Sequence, residues 1–369
     1  MQTGISLQAL AAEIERQETA KRDFVADTRK MIVSPIEARE RQLGAGKDED
    51  RVVSQNLVLD LDGVEGRFPF TTTMHEQVAT KTGIPRPYYD RMREHAGDLL
   101  ATNINHWLHR QPEQRMVRTL DARARALVSD KFRPLDHPEM LRAVLPVLRE
   151  ADVVVRSSQM TERRLYLQVT SRRLEGEVRK GDVVQFGLVI ANSEIGMGAL
   201  SVSEMMYRLV CLNGVILGSA VRKSHVGRKI ADDGLGHEAV EFYADETRKA
   251  DDRAFFLKLR DTVKGLLSDA RLQAQLEKLR GAAERRITGD PVKVVEVTQK
   301  RLSLTDGERG DVLRHLIEGG DLSAWGLANA VTRLAHDASD YDRSVELERL
   351  GARVIELPQT EWRQLAEAA

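Results

Sequence analysis

Four strand-like stretches follow one another at residues 153–157, 165–171, 183–191 and 200–217, with no helical pattern between them. Strands joined without crossover helices pair as hairpins, so the middle of the chain is expected to form an antiparallel sheet. Val153, Val154 and Val155 are β-branched, Leu165, Leu167 and Val169 alternate with polar neighbours, and 183–191 is an apolar run of buried-strand type. Residues 117–129 also read as strand, while 138–150 read as one helix with Leu141, Val144, Leu145 and Leu148 on a single face. The expected fold class is α+β: a central antiparallel β-sheet with a packed helix, followed by a helical C-terminal region.

Outside that core the pattern changes. Residues 6–30 have Leu7, Leu10 and Ile14 at helical spacing, and 41–51 read as a polar loop. Leu57, Leu59 and Leu61 alternate before Asp62-Gly63, a hairpin signal. Thr73 and Glu76 have capping-box spacing, a break follows at Gly83-Ile84-Pro85, and a second helix begins near Pro87. Helix, glycine turn, helix is the outline of a DNA-reading helix-turn-helix and equally of a plain packing hairpin. Residues 238–286 read as a long charged helical hairpin, and three shorter helices start after Asp290, near Asp306 and after Ser323. Four units result: an N-terminal helical extension at 1–50, a hairpin with a helix-turn-helix-like segment at 51–114, an α+β core at 115–230 and a helical region at 231–369.

The chain of 369 residues is long enough for two or three folding units. Cys211 is the single cysteine, which rules out an intramolecular disulfide and a cysteine-based metal site, and fits a reducing compartment. Residues 1–30 lack the apolar stretch of a signal peptide or membrane span, so a cytoplasmic location without membrane contact is expected. The formal net charge of −1 conceals an uneven distribution. Residues 205–230 contain Arg208, Arg222, Lys223, Arg228 and Lys229 and no acid, whereas 231–252 contain eight acids against Arg248 and Lys249.

The densest basic segment is Arg222, Lys223, Ser224, His225, Gly227, Arg228 and Lys229, whose cations, hydroxyl, imidazole and close-approach glycine suit phosphate oxygens. A solvated loop neutralised by the acids that follow is the plainer alternative. A second set comprises Arg123, Arg125, Lys131, Arg133, Arg156, Arg163, Arg164, Arg172 and Arg173, with Arg115 and Arg118. Arg123 and Arg125 share a face of their strand, because side chains alternate with period two. For any one of these arginines a surface ion pair is an equally good reading. His106 and His109 are three apart but have no third metal ligand, and Asn192, Ser193 and Glu194 with Gly196 and Gly198 read as a turn rather than an active loop. There is no phosphate-binding P-loop, dinucleotide fingerprint or nucleophile elbow.

Taken together, ALVSDKFRPLD at 126–136, NSEIG at 192–196 and YRLVCLNG at 207–214 resemble a family of phage- and plasmid-encoded proteins known only as a domain of unknown function. The resemblance extends to TTTMHEQ at 71–77, Ile84, Pro85 and Tyr88, to SAWGLANAVT at 323–332 and to 347–357, and so covers about 55–358. A mobile-element setting implies DNA metabolism. An arginine-lined antiparallel sheet backed by a helix is similar in outline to the single-strand annealing proteins of recombination. The expectation is a homo-oligomeric protein, with a ring as one form of assembly, that binds single-stranded DNA without metal or nucleotide cofactor, alongside replication or recombination partners. A helix-turn-helix regulator using 73–94 and an unrecognised metal-dependent nuclease stay open as alternatives.

Overall fold

The computed structural model describes residues 1–36, 56–224 and 245–368. The amphipathic helix α1, Leu7–Ala20, is capped by Ser6 and buries Leu10 and Ile14. It stops at Ala20, short of the helix expected to reach residue 30, because β1 (Arg22–Asp27) is drawn into pairing with a strand ninety residues further on. β2 (Met31–Pro35), β3 (Leu57–Leu61) and β4 (Arg67–Pro69) form a three-stranded antiparallel sheet, with Asp62 and Gly63 between β3 and β4 as the leucine alternation predicts.

Three helices cover that sheet: α2 (Thr72–Thr82), α3 (Arg86–His95) and α4 (Gly97–Arg110). The cap of α2 is Thr71, which accepts from the Met74 amide, so the Thr73–Glu76 capping box does not form. The Thr73 amide instead donates to Glu162, far along the chain. Gly83 ends α2 in the left-handed region that favours glycine. Met74, Val78, Tyr89, Met92, Leu100 and Ile104 pack with Leu57, Leu59 and Phe70 into one core.

The stretch 117–129 is two strands. β5 (Gln114–Leu120) and β6 (Arg123–Ser129) are joined at Asp121 and Ala122, both at positive φ, and β1 pairs on the other side to give the order β1-β5-β6. Helix α5 (His137–Glu150) buries Met140, Val144, Val147 and Leu148, while Leu145 is 43% exposed, which moves the packing face away from the expected one. β7 (Val153–Met160), β8 (Leu165–Glu177), β9 (Val183–Asn192), β10 (Leu200–Arg208) and β11 (Asn213–Lys223) make the expected antiparallel sheet, in the order β11-β10-β9-β8-β7.

The C-terminal part is helical: α6 (Asp245–Leu266), α7 (Asp269–Glu284), α8 (Pro291–Leu302), α9 (Asp306–Gly319), α10 (Ala324–Arg333), α11 (Tyr341–Ile355) and α12 (Gln359–Ala366). One face of the large sheet, through Leu167, Phe186, Leu188 and Met206, joins α1, α5 and the C-terminal helices in the main core. The other, through Tyr166, Val189, Met205 and Ile216, packs on Tyr341 and Val345 of α11. The fold is α+β. No described helix is long and apolar enough to cross a membrane.

Candidate nucleic-acid interface

Six segments that are distant in sequence converge on one cleft of about 300 Å³. Helix α1 contributes Glu13, Arg16 and Gln17, the β5–β6 hairpin contributes Asp121, Arg123 and Arg125, and the β7–β8 turn contributes Thr161, Glu162, Arg163 and Arg164. Thr71, His137 and the β9–β10 loop with Glu194 and Ile195 complete it. Arg123 and Arg125 both line this cleft, although a register shift between β5 and β6 leaves Arg125 as the extra residue of a bulge.

Their environments differ. Arg125 is 7% exposed and donates to Glu194 Oε2 at 2.9 Å, so its charge is consumed by the fold rather than offered to a ligand. Arg123 is exposed and donates only to the Phe70 carbonyl at 3.2 Å. Arg164 donates from Nε to the Met197 carbonyl at 2.9 Å. Carbonyls carry no net charge, which leaves Arg123 and Arg164 without a neutralising carboxylate among the described residues. Arg163 pairs with Glu76, and Arg16 pairs with Asp121 at 2.6 Å and Glu13 at 2.8 Å; at 40% and 47% exposure these are solvent-screened pairs of small net worth.

Behind the cleft lies a buried ionic network. Glu194 accepts from the His137 amide at 2.9 Å and from Arg125, with Lys21 Nζ 3.6 Å away. Lys21 pairs with Asp136 at 2.6 Å, and Arg118, 1% exposed, pairs with Asp23 at 2.9 Å and Asp136 at 3.2 Å while donating to the Glu194 carbonyl. Burial opposes ionisation of Glu194, yet His137, Arg125 and Lys21 outweigh it and hold the carboxyl far below the ordinary carboxylate range. Residues 192–198 do form a turn, but one whose glutamate is the hub of this network.

The remaining expected contacts are dispersed. Arg133 pairs with Asp252 at 2.7 Å, and Arg208 with Asp182 at 2.5 Å, the same carboxylate that accepts from the Trp325 indole. Arg156 donates to Thr170 and Gln185 with its guanidinium 4.7 Å from the Tyr207 ring, and Lys223 lies 4.1 Å from the Phe255 ring and 3.8 Å from Asp251. Arg172 and Arg173 are exposed at the register shift in β8, eight residues along the strand from Arg164 and therefore roughly 26 Å away. Lys131, Arg222 and Ser224 are exposed, whereas His225, Arg228 and Lys229 lie outside the described residues. The central arginines thus split into separate groups, of which the cleft is the one that gathers several.

Elsewhere, α2 and α3 do form a helix-turn-helix outline, but Arg86 and Arg93 of α3 point back to Asp90, at 2.6 Å and 3.6 Å. His109 Nε2 lies 2.9 Å from the Met31 carbonyl, and no three His, Cys, Asp or Glu groups among the described residues converge on a metal position. Arg16 and Lys21 escaped the sequence reading: Arg16 resembles any helix-surface arginine, and the partners of Lys21 are remote in sequence; Arg118, read as a surface cation, is buried instead.

The family described as "Domain of unknown function (DUF932)" matches residues 124–352. The chain belongs to that family. The match begins one residue into β6 and ends inside α11, so it covers the large sheet and the β9–β10 loop but leaves out α1 and the end of β5, which contribute Glu13, Arg16, Gln17 and Leu120 to the cleft. Neither a curated protein nor a solved structure matches the chain.

Proposed function

We propose that this DUF932 protein binds single-stranded DNA, in the manner of an annealing-type recombination protein, with phosphates held at the cleft by Arg123, Arg163, Arg164 and Arg16. The observation that carries this reading is that Arg123 and Arg164 converge on one cavity while bonding only to main-chain carbonyls. Their charge is available to a phosphate at little cost in broken ion pairs. Among the described residues no Phe, Tyr or Trp lines the cleft. A strand held by its backbone and not stacked on aromatic rings keeps its bases outward, which is what pairing with a second strand demands.

The test is fluorescence anisotropy with labelled oligo-dT at a series of KCl concentrations. Affinity is expected to fall with salt, with a log–log slope of about −0.7 for each phosphate neutralised. The double substitution Arg123→Ala/Arg163→Ala is expected to lower affinity about tenfold or more and to make the slope shallower by one to two such increments. Absence of binding by micromolar wild-type protein at low salt, or affinity indifferent to salt, defeats the proposal. Tighter binding of a particular duplex would instead favour the α2–α3 pair.

A further inference from the structure

On the side of the large sheet covered by α11, direct cross-strand pairing runs through Gln159, Tyr166, Ala191, Ser201 and Arg222. Residues directly opposite one another point to the same face, and Tyr166 and Ala191 pack on Tyr341 and Val345 of α11, so Arg222 emerges on the α11 side. Arg349 lies one turn beyond Val345 on the stripe that begins at Tyr341. Tyr166 ties the two elements together, donating from its hydroxyl to Asp342 at 2.7 Å.

Arg349 is partly buried, and among the described residues it makes neither a hydrogen bond nor an ion pair. The three acids of its own helix are engaged elsewhere: Asp342 by Tyr166, Glu346 by Arg343 at 2.7 Å, and Glu348 by Gln168 at 3.1 Å. Burial lowers the pKa of Arg349; Arg164 and Arg222 lower it further, against Tyr166 and Glu348. A partly desolvated guanidinium with no carboxylate bonded to it among the described residues destabilises the fold unless an anion arrives. Hydroxyls are also at hand, since Ser201 stands opposite Arg222 and Ser203 Oγ lies 3.0 Å from Ser219 Oγ. Gly218, Ser219 and Ala220 are exposed and small, which leaves room for a ligand against β11.

We propose that Arg349 and Arg222 form a phosphoryl-binding site on this face, both lying outside the lining of the cleft. Two guanidinium groups and neighbouring hydroxyls suit a phosphate group, with the planar forks of arginine matching its oxygens in pairs. The phosphoryl group can belong to a small phosphorylated molecule or to a polynucleotide backbone.

Thermal unfolding of the full chain in potassium phosphate, against KCl of matched ionic strength, tests the site without any DNA. Phosphate is expected to raise the wild-type midpoint by several degrees once well above its dissociation constant. Arg349→Met is expected to abolish that rise while unfolding, without phosphate, at or above the wild-type temperature; a purely structural arginine would lower it. Arg222→Ala, at an exposed position, gives the same readout should the first variant fold poorly. No phosphate-specific rise in the wild type, or an undiminished rise in both variants, overturns the proposal. Oligo-dT binding by the same variants identifies the source of the phosphoryl group: weakened binding points to a backbone, unchanged binding to a small molecule. Loss of the cleft reading would leave the phosphate result untouched.

Discussion

Glu194 shows how much of the site depends on a single side chain. Its carboxylate is 3% exposed and faces Arg125, Lys21 and the His137 amide. Glu194→Gln keeps the shape but removes the charge, leaving Arg125 buried without a counterion, and breaking a buried pair in this way typically costs about 3–5 kcal/mol. The expected outcome is a lower urea midpoint with an unchanged slope, measured by circular dichroism. At this scale the sequence was informative about geometry and silent about partnership. The strand reading brought Arg123 and Arg125 together, and both line the cleft, but nothing local tells that Arg125 sits in a bulge and meets a glutamate sixty-nine residues away while Arg123 meets only a carbonyl. Arg349 was invisible for the same reason: its distinction is the absence of a partner, which no spacing encodes.

Elements were legible where their side chains repeat with a clear period. The strands of the large sheet stand out because their apolar residues face two cores at once. The β5–β6 hairpin was read as a single strand because its turn uses Asp121 and Ala122 at positive φ, where glycine or asparagine would have announced it. Helix α1 was extended too far because the end of a helix beside a strand is decided by long-range pairing, here of β1 with β5. Loop packing carries its own prediction. A methyl group on Gly198 would overlap the Arg164 guanidinium, the movable end of a long side chain. Gly198→Ala is therefore expected to lower thermal stability, because a side chain is strained at the positive φ of Gly198, and to weaken oligonucleotide binding severalfold in the same anisotropy assay, because Arg164 must leave its position at the cleft.

Across the whole molecule, the opening residues are woven into the rest. The Ile5 amide donates to the Ser158 carbonyl at 2.7 Å and the Ser158 hydroxyl returns a bond to Ile5 at 2.6 Å, while Leu10 and Ile14 sit in the main core. Lys21 and Asp23 neutralise Asp136 and Arg118. At the far end, the Ala366 carbonyl accepts from the amides of Thr288 and Gly289. Cloning to the limits of the family match, 124–352, would strip β6 of β5, its partner in the β1-β5-β6 sheet, and remove β1 with Lys21, Asp23 and Arg118. Such a trimmed fragment should be recovered chiefly from inclusion bodies, with a far-ultraviolet spectrum short of native sheet signal, whereas the intact polypeptide stays in the supernatant. For crystallisation or screening, the practical unit to express is therefore wider than the segment that homology alone would mark out.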